Sequence, residues 1–244
     1  MTESPCKDEI RRRIDWFEAN YAEVTARIER AARAAGRDPS EIHLLAATKT
    51  VPVEVINHAV ERGVTWIGEN RVQELCIKWE NLDRRATVHH IGRLQTNKVK
   101  AVVGKATLIE SVDSFHLAEE IAKRSRAMQL TTDVLLEINI GAEEAKSGIP
   151  AKEAEELLDR IAPLEGLRVR GLMAFPPICD SEAKICEYFA KMYQMFIDFS
   201  GKKRDNVSMD YLSMGMSGDF EAAIACGANI IRLGTALFGE RHYR

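Results

Sequence analysis

The chain has 244 residues, of which 45% are hydrophobic and 29% are charged, and its formal net charge is −3 at pH 7. This composition is typical of globular proteins, and the small net charge gives no reason to expect nucleic acid or an anionic membrane as a partner. No apolar run approaches the roughly 20 residues of a membrane span, and the N-terminus, MTESPCKDEIRRR, is too polar for a signal peptide. We therefore expect a cytoplasmic protein.

The cysteines and histidines give no metal or disulfide pattern. Five cysteines, including Cys6, are scattered along the chain without a CxxC pair, which predicts reduced thiols. The six histidines include the adjacent pair His89-His90 but no HxxxH or HExxH spacing. We therefore expect no metal site.

The first predicted element is a long helix over residues 8–36, rich in Ala, Arg, Glu and Ile, with Gly36 as its stop. After it, short apolar runs recur as candidate strands. They lie at residues 43–48, 64–68, 88–92, 107–111, 133–140, 167–175, 209–214 and 229–234. Stretches of helical composition separate them, at residues 51–63, 69–82, 94–104, 114–128, 150–164, 180–201 and 217–227.

This alternation predicts an α/β fold, and the short apolar strands indicate a parallel sheet that is covered on both sides. Eight strand–helix units in about 200 residues favour a single (β/α)₈ TIM barrel preceded by one extra helix. The alternative is an open doubly wound sheet, but a GxGxxG loop after the first strand is missing. No linker-like stretch divides the chain, so we expect one domain spanning residues 1–244.

Polar residues follow several of the candidate strands, where a barrel builds its active site. The segment GENRVQE (68–74) carries Asn70 and two glutamates, and it raises the question of what these groups face. We expect it to line a pocket mouth shared with the other strand ends. Solvated helix surface is the alternative.

Lys49 follows the apolar run LLAAT directly. A partly desolvated lysine at a strand end can act as a nucleophile toward a carbonyl and form a Schiff base. The alternative is a solvated lysine at the end of a strand.

Two glycine-containing turns predict a phosphate site. SMGMSGD (213–219) leads into a helix, and RLGTALFG (232–239) follows the eighth strand. Backbone N–H groups beside small side chains bind anions, and the last two loops of such barrels commonly hold phosphate. Alternatively, Ser217 is only a helix cap and Gly234 only a tight turn.

A Schiff-base lysine together with a phosphate site fits pyridoxal 5′-phosphate, which carries an aldehyde and a phosphate on one ring. Arg232 could approach the ring nitrogen, where a permanent cation disfavours protonation, or it could form a salt bridge in the barrel wall. His90 is more often a core histidine than an acid or base at such a position, and Met173 is most simply a packing residue.

Several segments together resemble the pyridoxal phosphate homeostasis protein family, small single-barrel relatives of alanine racemase. They span nearly the whole chain in the expected order: LLAATKT (44–50), IGENRVQE (67–74), HHIGRLQTNK (89–98), ESVDS (110–114), EEAKSGIP (143–150), GLMAFPP (171–177), LSMGMSGDFEAAI (212–224) and RLGTALFG (232–239). One departure is His89, which stands where the family often has an aromatic residue before the histidine of the third strand.

The resemblance implies a fold-type III barrel that holds pyridoxal 5′-phosphate as a Schiff base on Lys49. It also implies a set of surrounding residues. The residues expected at the phosphate are Ser213, Ser217, Gly234 and Thr235. Arg232 is expected near the ring nitrogen. Asn70, His90 and Met173 are expected in the surrounding pocket. The implied role is vitamin B6 homeostasis and cofactor delivery to recipient apo-enzymes, without established turnover, by a monomer or weak homodimer.

Three alternatives remain open at this point. A racemase or related amino-acid enzyme needs a second acid or base; Tyr243 is the only tyrosine after the eighth strand, and the chain stops ten residues after Gly234. A phosphosugar enzyme with Lys49 as a Schiff-base lysine would be colourless. If the protein were only an interaction module, Lys49 could be replaced without loss of function.

A second lysine, Lys146, lies in the segment GAEEAKSGIP and is expected to be a solvated loop lysine.

Overall fold

The computed structural model of the protein describes residues 7–143, 147–177, 179 and 181–239. Cys6, Lys146 and Tyr243 lie outside these ranges. Within them, no helix combines the length and the apolar character that crossing a membrane would require.

A closed ring of eight parallel strands forms the centre of the fold. The barrel strands are β1 (His43–Ala47), β2 (Trp66–Glu69), β3 (Thr87–His90), β4 (Leu108–Val112), β5 (Thr132–Asn139), β7 (Leu167–Ala174), β8 (Val207–Ser213) and β9 (Ile230–Leu233). They are hydrogen-bonded in the order β4-β3-β2-β1-β9-β8-β7-β5, and a β4–β5 pairing closes the ring. A two-residue strand, β6 (Ile149–Pro150), pairs with β5 outside the ring. The predicted barrel is confirmed.

Helices cover the outside of the barrel. The α-helices are α1 (Lys7–Ala34), α2 (Val53–Glu61), α3 (Val72–Lys78), α4 (Phe115–Ala127), α5 (Ala154–Ile161), α6 (Glu182–Ser200), α7 (Phe220–Ala225) and α8 (Thr235–Phe238). Short 3₁₀ helices occupy Pro39–Glu41, Trp79–Asn81, Thr96–Ala101 and Ala151–Glu153.

The ends of these helices follow from local sequence. Helix α1 stops where Gly36 adopts a positive φ of 69°, and the Arg37 amide then donates to the Ala32 carbonyl. The hydroxyls of Ser114 and Ser181 accept hydrogen bonds from the first turns of α4 and α6. These caps fix where each helix leaves the preceding loop.

Several elements differ from the sequence prediction, among them helix α8 and the 3₁₀ helix at Pro39–Glu41, neither of which was predicted. The stretch at residues 94–104 forms a 3₁₀ helix over Thr96–Ala101 instead of an α-helix, with three-residue hydrogen bonds such as that from the Lys98 amide to the Gln95 carbonyl. Strand β6 was not predicted, since two residues are too short to show a periodic pattern.

Apolar side chains form two separate cores. The larger core lies between the barrel and its helices. The smaller one fills the barrel interior, and its buried members are Leu45, Ile91, Leu108, Leu135, Met173 and Ile230. Because side chains alternate along a strand, each barrel strand supplies one face to each core.

Candidate functional site

Lys49 lies just beyond the end of β1, at the end of the barrel where the strands finish. Leu45 and Ala47 belong to the inward-facing phase of this strand, and Lys49 is the next position in that phase. The lysine is half-buried. Among the described residues, no side chain or carbonyl forms a hydrogen bond or ion pair with its amine. Its amine is therefore available to a ligand in the barrel mouth.

The predicted segment GENRVQE splits between two environments. Asn70 is the next position after Gly68 in the inward phase of β2, and the Asn70 backbone packs against Gly92, where an added Cβ would lie 2.2 Å from the Asn70 carbonyl oxygen. Glu69 instead points to the helix side and is 1% exposed. The segment thus directs Asn70 to the barrel mouth, whereas the carboxylates of Glu69 and Glu74 lie on the helix side of the strand.

Glu69 and Glu74 contact the turn that carries Lys49. Thr48 donates its hydroxyl hydrogen to Glu69 Oε1 at 2.6 Å, and the Thr50 amide donates to Glu74 Oε2 at 2.8 Å. Lys78 lies between the two carboxylates, 2.7 Å from Glu69 Oε1 and 3.6 Å from Glu74 Oε2. Sequence reasoning singled out this segment but did not assign these contacts.

His90 does not face the barrel interior. It pairs in register with Glu69 and Ile109, and Ile109 belongs to the core outside the barrel. Neighbours in register share a sheet face, so His90 points toward the helices. Burial lowers the pKa of His90 to about 4. The nearby backbone of Gly92 acts to raise this pKa, but its effect is smaller. Neither ring nitrogen has a hydrogen-bond partner among the described residues. The predicted pocket role of His90 does not fit this placement.

The interior histidine of β3 is His89, which the sequence analysis did not select. Its Nδ1 lies 2.6 Å from Glu110 Oε1, and both side chains are almost completely buried. Burial acts to raise the pKa of Glu110, but the His89 hydrogen bond and the charges of His89 and Arg232 outweigh it, so this pKa lies below its usual value. An ionised Glu110 accepts a hydrogen bond, and this assigns the Nδ1–H group of His89 as its donor.

Glu110 connects to Arg232 through Ser213. The Ser213 hydroxyl donates to Glu110 Oε2 at 2.6 Å and accepts from Arg232 Nη1 at 2.7 Å. Arg232 Nη2 donates to the Ala174 carbonyl at 2.7 Å, and its guanidinium carbon lies 4.3 Å from the centre of the Phe175 ring. Arg232 is 2% exposed. The hydroxyl of Ser213, predicted at the phosphate, is thus bonded to Arg232 here.

One nitrogen of Arg232 is left for a ligand. Its Nε is buried and has no partner among the described residues. Burial lowers the pKa of Arg232, although the carboxylates of Glu110, Glu137 and Asp219 oppose that shift. A buried donor without a hydrogen-bond partner lowers the stability of the folded chain. A ligand atom that accepts a hydrogen bond from this nitrogen would remove that loss. Met173 lies in the same interior and is fully buried.

The loops after β8 and β9 lie against each other. The Ala236 amide, at the start of α8, donates to the Ser217 hydroxyl at 3.3 Å, and the Arg232 amide donates to the Gly215 carbonyl at 3.0 Å. Gly215 has a φ of +93°, and an added Cβ there would lie 2.6 Å from Ala223 Cβ. Gly234 is half-buried and Thr235 is exposed. The two predicted phosphate turns therefore form one surface.

Strand register brings this surface next to Lys49. Strands β1 and β9 are hydrogen-bonded neighbours, with Leu45 opposite Arg232 and Ala46 opposite Leu233. Gly234 and Thr235 therefore follow β9 beside the turn that carries Lys49. The predicted residues lie at one end of the barrel, and His90, which ends β3 there, differs in facing the helices instead of the interior.

Comparison with known proteins identifies the family. The family described as "Alanine racemase, N-terminal domain" matches residues 19–242. The pyridoxal phosphate homeostasis protein of Aquifex aeolicus is 45% identical over 221 residues, which cover 90% of this chain and 96% of that protein. The Escherichia coli protein of the same name is 39% identical over 228 residues, covering 92% and 96%. The chain belongs to the pyridoxal phosphate homeostasis protein family.

Solved structures agree with this family and its fold. A protein of Bifidobacterium adolescentis aligns with a TM-score of 0.88 at 36% identity, covering 97% of this chain and 98% of the other. PipY of Synechococcus elongatus, solved with pyridoxal phosphate bound, aligns with a TM-score of 0.77 at 31% identity, covering 87% and 100%. Alanine racemase of Clostridium difficile shares the barrel alone, with a TM-score of 0.70 at 18% identity, and the match covers 94% of this chain but 58% of the racemase.

Proposed function

We propose that this pyridoxal phosphate homeostasis family member binds pyridoxal 5′-phosphate at the C-terminal end of its barrel and holds the cofactor for delivery to other proteins. The observation that carries this proposal is the pair of unpartnered groups at that end. Within the described part of the chain, the Lys49 amine has no hydrogen-bond partner and the buried Nε of Arg232 has no acceptor. The names of the relatives and the cofactor bound by PipY support the same ligand.

The donor set fits each part of the cofactor. The Lys49 amine would condense with the aldehyde, forming one C=N bond and releasing one water. Arg232 would lie near the ring nitrogen, where its permanent charge disfavours protonation of the ring. The backbone of Gly234 and Thr235, with the hydroxyl of Ser217, would face the phosphate. When bound, the cofactor supplies a reactive aldehyde and an electron-accepting ring.

Asn70 and Met173 would complete the pocket wall. Asn70 stands in the inward phase of β2, and Met173 closes the interior below the ring site. Ser213 would act through Arg232, because its hydroxyl hydrogen is already donated to Glu110. In this arrangement Ser213 positions the guanidinium and does not supply a hydrogen to the phosphate.

We further infer that the chain does not turn over amino acids. Racemisation needs a second acid or base on the opposite face of the substrate, and His90, the remaining candidate from the sequence, faces the helices. The family relatives are named as homeostasis proteins. Incubation of the cofactor-loaded protein with single amino-acid enantiomers should give no sustained racemisation or transamination; steady turnover by pure protein would contradict this.

Delivery to recipient apo-enzymes can be measured directly. A loaded carrier should reactivate an apo-enzyme in the presence of a reagent that traps free cofactor, and gel filtration should show a monomer or weak dimer. Reactivation no faster than that produced by the same amount of free cofactor under the trap would count against delivery.

The absorption spectrum tests the proposal most simply. Wild-type protein mixed with pyridoxal 5′-phosphate should show a band at about 420 nm that borohydride removes. The band should be absent in Lys49→Ala and present in Lys152→Ala, since Lys152 has a side chain that is 83% exposed. A wild-type protein that stays colourless would overturn the proposal.

A further inference from the structure

The backbone turn that carries Lys49 is held on both sides. Before it, the Thr48 carbonyl accepts from Lys78 Nζ at 2.9 Å and from the Val51 amide at 2.9 Å. After it, the Thr50 amide donates to Glu74 Oε2 at 2.8 Å. The Lys49 amine forms no such bond with the residues that the structure describes. The neighbours of the reactive lysine are fixed while its own side chain is left free.

Thr50 has an unfavourable backbone conformation. Its φ is +64°, a left-handed value that β-branched residues seldom adopt. Such a conformation persists only when surrounding contacts impose it. Two contacts hold this residue: the Thr50 amide donates to Glu74 Oε2 at 2.8 Å, and the Thr50 carbonyl accepts a longer bond from Arg13 Nη1 at 3.4 Å.

Lys78 links the contacts into one unit. Its ammonium group bonds Glu69 Oε1 at 2.7 Å and the Thr48 carbonyl, and it lies 3.6 Å from Glu74 Oε2. The Lys78 side chain is 12% exposed, and Glu69 is almost fully buried. Glu74 and Lys78 are four residues apart, so both project from one face of α3. Little solvent reaches these charges, which strengthens their attraction.

The geometry points to a positioning role for Glu69, Glu74 and Lys78, which we call the turn clamp. The clamp fixes the Thr48–Thr50 backbone so that the Lys49 amine meets the aldehyde of the ligand at a defined distance and angle. This inference rests on the proposed function, since it concerns the same lysine. It also explains the carboxylates of GENRVQE: they face the back of the Lys49 turn, not the ligand.

Two ligands separate positioning of the lysine from assembly of the pocket. Pyridoxal 5′-phosphate requires Lys49 for covalent capture, whereas 4-deoxypyridoxine 5′-phosphate has the same ring and phosphate but no aldehyde. A group that only positions Lys49 should affect the first ligand much more than the second. A group that maintains the whole pocket should weaken both ligands equally.

The test compares Glu74→Ala with Glu80→Ala, a control on the adjacent 3₁₀ helix whose side chain is exposed. We expect Glu74→Ala to slow formation of the 420 nm band about 10- to 100-fold, as small misplacements of reacting groups do. The Kd of the aldehyde-free analogue should change by less than about twofold, because its binding does not depend on the position of Lys49. Glu80→Ala should match wild type with both ligands.

Other outcomes have defined meanings. A Glu74→Ala protein that forms the band at the wild-type rate, or that loses both ligands to the same degree, overturns the turn clamp. If Glu74→Ala does not fold, Glu74→Gln removes the negative charge beside Lys78, which the turn clamp needs, so the band should still form more slowly than in wild type; a wild-type rate in the folded glutamine variant overturns the inference. Failure of the wild-type protein to form the band would instead reject the proposed function.

Discussion

The buried ring of His90 makes stability sensitive to acid. In the folded chain its pKa is about 4, against an ordinary value of 6.5, because burial disfavours the charged form. Between these two values the unfolded chain binds the proton and the folded chain does not. The free energy of unfolding therefore falls as the pH drops from about 6.5 toward 4, by up to about 3 kcal/mol.

Replacing His90 by leucine should flatten this dependence. His90→Leu removes two buried nitrogens without partners, so we expect a gain of about 1 kcal/mol at pH 7.5 and a much smaller loss of stability at pH 5 than in wild type. Urea unfolding at the two pH values measures both effects. His116→Leu, at an exposed position on α4, is the control. A wild-type loss between pH 7.5 and 5 that persists in His90→Leu would contradict the assignment.

Sequence could predict which residues lie together at the mouth of the barrel, but it could not predict the side chains that hold them in place. Lys49, Gly234 and Thr235 stand out because they follow apolar runs that end at one edge of a barrel. Glu110 lies inside an apolar strand and meets Ser213 only through the closed ring, so no local pattern identifies that contact. For the pair His89-His90, only strand register decides which ring points inward.

Strands β7 and β8 approach each other at Gly171. This glycine has a φ of +147°, and an added Cβ would lie 1.8 Å from the Tyr211 carbonyl oxygen. The pairing of β7 with β8 also shifts register between Val169 and Gly171, which is where a bulge allows the strand to bend. Any side chain at this position would separate the two strands.

Gly171→Ala should therefore destabilise the barrel by about 3 kcal/mol or more, because both the backbone conformation and the strand contact are lost. Gly218→Ala is the control, since an added Cβ there meets no atom within 4 Å; its effect should stay within about 0.5 kcal/mol. Denaturant midpoints of the two variants give the comparison. Equal midpoints for Gly171→Ala and Gly218→Ala would show that strands β7 and β8 can move apart without loss of stability.

At the level of elements, the alternation of apolar and helical stretches was sufficient to place all eight barrel strands. The predicted boundaries lie within two residues of the observed ones, and they are sharpest where a polar or glycine residue ends the apolar run, as Glu69 does for β2 and Gly234 for β9. The pattern could not distinguish α-helix from 3₁₀ helix over Thr96–Ala101, since both place side chains at similar spacing.

Ligand binding should stabilise the whole molecule. A ligand that binds only the folded chain raises the free energy of unfolding by about 2.7 kcal/mol at a concentration 100 times its Kd. For a chain of this size, that corresponds to a rise in Tm of about 5 to 10 °C. Thermal unfolding of wild type with pyridoxal 5′-phosphate measures the shift. Lys49→Ala should show a clearly smaller rise at the same ligand concentration, and equal rises would argue against a covalent link.

The pairing of His43 with Ile230 has a consequence for synthesis of the chain. The first barrel strand has no neighbour on one edge until the last strand has been translated, which takes roughly 10 to 40 s at ordinary elongation rates. Gly234 and Thr235 emerge later still. A nascent chain therefore exposes an unpaired strand edge throughout this time, and it cannot capture its ligand on the ribosome before the final strand is released. Cofactor loading thus has to wait until the last barrel strand has been made.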